Sequence, residues 1–322
     1  MFWTTLFLLA DATLANPIVN GEREYEFESA MSLGAEFNGN TFSACSGNLI
    51  TSRVVLTAAH CGADLPLDLL VDLGRAFFGD DIEEAEHTME FEDLVVHPEY
   101  EPLQSGTGNL GQYDVSVLVL SEDAPIRPTP IRLDLWNNEE LPADVVSVGF
   151  GTTDAASGRG SGKKRSAALT IDDFDRMFLY SSSDTNLNEA QICSGDSGGP
   201  QFQWVDDRWQ QVAVHSWGDQ DCLVSSGSTR VDKVQEWIFD QIEDVHGTRD
   251  WCEAAGVYDD GSCDDFCDEI DPDCVVDTGG DGERTGLGCG CSQSSTDPMH
   301  PAGWVLALLG LVQQRRRKEA TV

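Results

Sequence analysis

Basic residues are scarce in this chain: 19 Lys and Arg stand against 57 Asp and Glu, for a formal charge of −38. A surface that acidic repels phosphate backbones and anionic lipid, which excludes nucleic-acid binding as a function class. Long apolar runs are missing as well. The two apolar stretches at the ends, residues 2–10 and 301–312, both fall short of the roughly 20 residues that span a bilayer. Core-forming residues are not scarce. Hydrophobic residues make up 40% of the 322 positions, which excludes wholesale disorder and allows one large or two smaller domains. Ten Cys are too many for scattered core thiols and place the chain in an oxidising compartment.

The ends read as addresses. Residues 2–10 form an apolar run with no Lys or Arg before it, and Thr13-Leu14-Ala15 supplies a small-x-small cleavage pattern. Residues 1–15 are therefore expected to be a signal peptide, the alternative being a buried first strand. At the other end, Arg315, Arg316, Arg317 and Lys318 follow the apolar residues 301–312. A basic cluster there fits a stop-transfer end held on the cytoplasmic side; an amphipathic helix is the alternative, although the run has no polar face. Gly288-Cys289-Gly290-Cys291-Ser292 lies just upstream. As a set, these tail features resemble the MYXO-CTERM sorting signals of myxobacteria. The resemblance implies delivery to the surface of a Gram-negative cell, a short membrane-inserted sorting segment over 298–322, and processing near the Cys.

Between the ends, short β-branched runs alternate with Gly, Pro, Asn and Asp: 52–57, 94–97, 115–120, 145–150 and 211–214. Regular short strands with turn signals point to an all-β barrel or sandwich. One helix is expected near 231–245, where Val234, Trp237, Ile238 and Ile242 recur at helical spacing.

Three segments carry the chemistry: Leu56-Thr57-Ala58-Ala59-His60-Cys61, Tyr113-Asp114-Val115-Ser116 and Cys193-Ser194-Gly195-Asp196-Ser197-Gly198-Gly199-Pro200. A Ser hydroxyl is a poor nucleophile at neutral pH and needs a base whose pKa lies near 7. With these motifs in His, Asp, Ser order, residues 18–247 resemble the trypsin/chymotrypsin family of serine endopeptidases. The resemblance implies two six-stranded antiparallel β-barrels with a C-terminal helix. It makes His60 the general base, Asp114 its orienting partner and Ser197 the nucleophile, with the N–H groups of Gly195 and Ser197 forming the oxyanion hole. It also implies disulfides Cys45–Cys61 and Cys193–Cys222. The first closes a loop of about 15 residues and contributes roughly 3 kcal/mol. A third family bridge is absent, because Leu179 stands where one of its Cys is expected.

The resemblance extends to activation and specificity. Ile18-Val19-Asn20-Gly21 matches the family's mature N-terminus, whose freed amine pairs with an Asp, here Asp196. Asn16-Pro17 precedes it without a Lys or Arg, so a tryptic activating cut is not expected, and residues 16–17 form a dipeptide propeptide. The pocket is expected from Gln191, Ile192, His215, Ser216, Gly218 and Gly227. Gln191 replaces the Asp of trypsins, so cleavage after Lys or Arg loses its buried counter-charge. His215 sits where glutamyl endopeptidases contact a substrate carboxylate; a structural role is the alternative. The acidic run 79–86 is expected to hold no calcium, because an Arg75–Glu86 ion pair takes the place of the metal.

Residues 248–276 read as a small acidic module. About 25 residues cannot build a core, so disulfides among Cys252, Cys263, Cys267 and Cys274 must staple it. Its Asp-rich sequence loosely resembles Notch-type repeats, making calcium a candidate there, with four-thiolate zinc as the alternative. Residues 277–297 read as a flexible linker. The whole is expected to be a monomeric, secreted, cell-surface-sorted serine endopeptidase acting on proteins or peptides and requiring no cofactor. The rival class is a catalytically silent adhesin or calcium-dependent binding protein on the same fold.

Overall fold

The computed structural model describes residues 18–104, 111–185 and 189–274. The signal-peptide, propeptide, linker and sorting-tail expectations lie outside the described residues. Among the described residues, no helix is long and apolar enough to cross a membrane.

A two-residue strand β1 (Glu22–Arg23) is followed by six strands of a first barrel. These are β2 (Ala30–Phe37), β3 (Asn40–Leu49), β4 (Val54–Thr57), β5 (Gly74–Phe78), β6 (His87–Val96) and β7 (Ser116–Leu120). A short helix, α1 (Leu67–Leu73), precedes β5. The barrel closes in the order β2-β3-β4-β7-β6-β5.

Strands β4 and β7 are buried on both faces, which is why they read as continuous apolar runs rather than alternating ones. Val55, Leu118 and Leu120 fill the barrel interior with Met31, Leu49 and Phe91. Val54, Leu56, Val117 and Val119 point the other way, into a second core that the C-terminal helix completes.

The second barrel uses β8 (Ala143–Gly149), β9 (Arg165–Phe174), β10 (Phe178–Ser182), β11 (Pro200–Val205), β12 (Arg208–Gly218) and β13 (Ser225–Arg230). Pairing of β8 with both β9 and β11 closes it, and β1 adds to the outer edge of β9. Leu179 is buried in its core with Ile171 and Val212, so an apolar contact occupies the place of the missing family bridge. The architecture is therefore two six-stranded antiparallel barrels, as the family resemblance implied.

The expected helix over 231–245 is a 3-10 turn at Val231–Lys233 and then α2 (Gln235–His246), which Gly247 ends in the left-handed conformation. Val234, Ile238 and Ile242 pack onto the outward face of β4 and β7.

The acidic module contains α3 (Trp251–Ala255), capped by Asp250, whose Oδ1 accepts from the N–H groups of Cys252 and Glu253. The two disulfides are Cys252–Cys267 and Cys263–Cys274. The module packs against the barrels. Ala254 is part of the core beneath α2, Trp251 Nε1 donates to the Ile50 carbonyl at 2.6 Å, and Ser52 N–H donates to the Ala254 carbonyl at 3.1 Å. Arg127, between the barrels, holds Asp264 through two contacts of 2.6 Å and also pairs with Asp260.

One expected pair is corrected. Arg75 bridges Glu90 at 3.1 Å, not Glu86, because the β5–β6 register sets Arg75 and Glu90 directly opposite each other. Glu86 lies in the preceding turn, its N–H donating to Phe78. In the same acidic run, Asp80 pairs with Arg23 and Asp81 with Lys163.

Candidate active site

His60 lies in the 3-10 turn Ala59–Cys61 that follows β4, and the Cys45–Cys61 disulfide ties that turn to β3. Asp114 stands two residues before β7, is buried, and grips His60 at two points. Its Oδ1 accepts the His60 backbone N–H at 2.9 Å, and its Oδ2 meets His60 Nδ1 at 2.7 Å. A carboxylate oxygen can only accept, so Nδ1 carries the proton and Nε2 is left as the basic nitrogen. Ser216 Oγ donates to the same Oδ2 at 2.6 Å. The sequence reading placed Ser216 in the pocket and missed this bond, which depends on how β12 passes the first barrel.

Residues 193–200 approach from the second barrel. The Ser197 carbonyl accepts the Ser46 N–H at 2.8 Å and lies 3.7 Å from Cys61 Sγ, which fixes the Ser197 backbone beside the residue after His60. Gly195 adopts φ +93, and a Cβ there would stand 2.9 Å from Gly151 Cα. Only glycine satisfies both conditions. Its carbonyl accepts from Ser46 Oγ, which in turn accepts the Phe150 N–H, so the turn is anchored to both barrels.

Asp196 is fully buried behind the nucleophile. Its two oxygens accept the N–H groups of Gly151 and Cys193, each at 2.8 Å. Burial pushes its pKa up to about 7, opposed by those two bonds and by the Arg165 charge. Ile18 is buried as well, and Val19 bridges Gln191, whose N–H donates to the Val19 carbonyl at 3.0 Å.

A family model described as Trypsin matches residues 18–238. The chain belongs to the trypsin family. It is 28% identical to a CLIP domain-containing serine protease B4 of Anopheles gambiae over 239 residues, covering 64% of each chain. It is 28% identical to a Trypsin of Saccharopolyspora erythraea over 195 residues, 54% of this chain and 75% of that one. It is also 28% identical over 258 residues to the human protein named Inactive serine protease PAMR1, 66% of this chain and 34% of that protein. The chain thus spans less than two thirds of the mosquito and human relatives.

Beside this trypsin-family constellation, the pocket differs in detail from the sequence reading. The Cys193–Cys222 disulfide braces it as expected. Ile192 and Gln191 are both buried. Both polar atoms of the Gln191 side chain have partners: Oε1 accepts from Ser226 Oγ at 2.6 Å and from the Ile192 N–H at 3.0 Å, and Nε2 donates to Ser183 Oγ at 3.3 Å. Gly227 backs onto the Trp217 ring, where a Cβ would lie 2.4 Å from the indole. Its neighbour Ser226 takes the place beside Gln191, and period-two alternation along β13 sets Ser228 on that same face. Gly218 lies close to the Ile192 carbonyl, with 3.3 Å for an added Cβ. His215 is fully buried, its Nδ1 3.1 Å from the Asp196 carbonyl, and burial holds its pKa down to about 4.

Among the described residues, the one group of three metal-type ligands is Cys45, His60 and Cys61, and its sulfurs are already joined to each other. In the acidic module, Asp264 is held by Arg127, and Asp271 accepts N–H bonds from Asp264, Asp273 and Asp259.

Proposed function

We propose that this chain is a catalytically competent serine endopeptidase. The observation that carries the reading is the Asp114 carboxylate, which accepts from the His60 backbone, His60 Nδ1 and Ser216 Oγ together. That arrangement holds the imidazole in one tautomer and stabilises the protonated ring, as turnover by a serine nucleophile requires. Ser197 Oγ attacks the scissile carbonyl, its proton passing to His60 Nε2. The N–H groups of Gly195 and Ser197 hold the oxyanion. His60 then protonates the leaving amine, and water releases the acyl group by the reverse proton path.

Full activity requires the freed Ile18 amine to neutralise Asp196. A buried carboxylate without a counter-charge is costly, so the 193–200 loop is least stable before that amine arrives. Asn16-Pro17 suits removal as a dipeptide rather than by a tryptic cut. Neither Lys nor Arg is the preferred residue before the scissile bond. Gln191 is neutral, and both rim Asp219 oxygens accept backbone N–H bonds from 221–225. Four disulfides support an oxidising, extracytoplasmic location, consistent with an exported and surface-sorted protein.

The test is labelling of the Ile18-started protein by an active-site serine phosphonate, with Ser197→Ala as control. Labelling that the control abolishes supports the reading. No labelling of the Ile18-started form favours a silent binding protein, a fate with precedent in the relative named inactive.

A further inference from the structure

Tyr113, the residue before Asp114, has φ +49, in the left-handed region. Among the described residues, the other non-glycine positions at positive φ are mostly Asn and Asp, whose short polar side chains tolerate it. A bulky aromatic residue is an outlier there and persists only where its surroundings hold it.

Two neighbours hold the ring. It lies flat on the His97 imidazole, with centroids 4.6 Å apart and planes 11° apart. Arg176 stands over the same ring at 5.6 Å and donates to its hydroxyl at 3.0 Å. His97 is itself fixed. It is buried, its Nδ1 accepts the Glu99 N–H at 3.2 Å, and its ring meets Trp237 of α2 edge-on at 4.8 Å.

The backbone shows what this clamp secures. The Val115 N–H donates to the Tyr113 carbonyl at 2.7 Å, an i→i+2 bond that closes a γ-turn with Asp114 at its centre. The His97 N–H donates to the Val115 carbonyl at 3.1 Å, and Thr229 Oγ1 donates to the Asp114 carbonyl at 3.1 Å. The turn sets the direction in which the Asp114 carboxylate leaves the chain. It begins at the residue whose φ the ring holds.

We infer that Tyr113 is a positioning residue for the triad: its ring, clamped by His97 and Arg176, holds a left-handed backbone that aims Asp114 at His60. Without the ring, an L residue at 113 relaxes toward negative φ, and the two bonds from Asp114 to His60 loosen. The inference rests on the endopeptidase reading and deepens it. Substitutions separate the turn from the ring. Ala removes the ring and keeps the penalty at positive φ, whereas Gly and Asn remove the ring and lift most of the penalty. A ring that served only as packing would make Gly no better than Ala.

The test follows phosphonate labelling of the Ile18-started protein. Tyr113→Ala should lower the maximal labelling rate by about tenfold, with the half-saturating concentration changed by less than about threefold. Tyr113→Gly and Tyr113→Asn should recover most of that rate. Tyr113→Leu keeps apolar cover on His97 and takes the place of Ala if that variant fails to fold. The second readout needs no activity: the proton shared by His60 Nδ1 and Asp114 Oδ2, seen far downfield by NMR, should move upfield in Tyr113→Ala and return in Tyr113→Asn. Gly and Asn variants as slow as Ala overturn the inference, because packing alone then explains the loss. An unchanged rate in Ala, or a change in half-saturation alone, overturns it too. A parent protein that takes no label sinks the endopeptidase reading; the NMR proton then decides this inference, and a signal that is unmoved in Tyr113→Ala rejects it.

Discussion

Arg165 stands directly across the β8–β9 pair from Gly149, the residue whose missing side chain makes room for the Asp196 carboxylate. A Cβ on Gly149 would fall 2.2 Å from Asp196 Oδ1, so the face that carries Arg165 is the face that meets this acid. Arg165 is buried, and its Nε has no hydrogen-bond partner. Its charge and that of Asp196 act on each other through the fold, each favouring the ionised form of the other. Arg165 is a cation acting on Asp196 in the uncut chain.

Loss of that charge should therefore be felt unequally. Arg165→Gln is expected to lower the residual phosphonate labelling rate of the uncut chain by about tenfold, one lost charge contact of roughly 1.4 kcal/mol. The Ile18-started form, which has its own counter-charge, should change by less than about threefold. Arg165→Lys should restore most of the loss. Equal losses in both forms would show a role in general stability instead.

The raised pKa of Asp196 has a definite sign in stability. Folding lifts this carboxyl from 3.8 to about 7, so the folded state holds a proton that the unfolded chain has released. The contribution is fully present below pH 4 and is lost as pH rises through 7. His215 opposes it: its pKa falls from 6.5 to about 4, so stability is lost as pH drops through that window. Thermal unfolding of the uncut chain from pH 5 to 8 should show a fall in Tm that Asp196→Asn removes. An unchanged slope in the variant would reject the assignment.

Within the triad, Ser197→Ala and His60→Ala should each lower turnover by about 10⁶, and the double variant by little more, since the two act as one unit. Ser216→Ala is milder. It takes one of three hydrogen bonds from Asp114, and about tenfold in kcat with KM nearly unchanged is the expected loss, from roughly 1.4 kcal/mol. A rise in KM alone would place Ser216 in substrate binding instead.

Arg127 and the acidic module should unfold with the barrels in one transition. Arg127→Ala strands the buried Asp264 carboxylate and is expected to cost about 1–2 kcal/mol, reduced from a fully buried pair because Arg127 is partly exposed. Urea unfolding followed by tryptophan fluorescence, which includes Trp251, checks this. A separate early transition assigned to Trp251 would show an independent module.

The strands were legible where burial dictates sequence. The runs at 54–57 and 116–120 are apolar because both faces of β4 and β7 are covered. The nucleophile loop was legible because Gly195 and Gly198, both at positive φ, leave few alternatives to their sequence. Cross-strand partners were not. The Glu86 expectation failed because β5–β6 pairing chooses Glu90 instead, and the bulge between His215 and Trp217, which sets Gly227 opposite Trp217, has no signature in the sequence. Seating of the acidic module could not be read either, since its anchors, Ile50 and Arg127, lie far from it in the chain.

Those anchors have a mechanical meaning. Trp251 and Ala254 hold the first barrel at Ile50 and Ser52, Phe266 lies under Arg208 of the second, and Arg127 grips the module from the segment between them. His60 and Asp114 belong to one barrel and Ser197 to the other, so the seam between them is spanned elsewhere by this strut. A pull applied at Cys274 would be shared by both barrels at once, drawing the halves along together rather than prising the cleft apart.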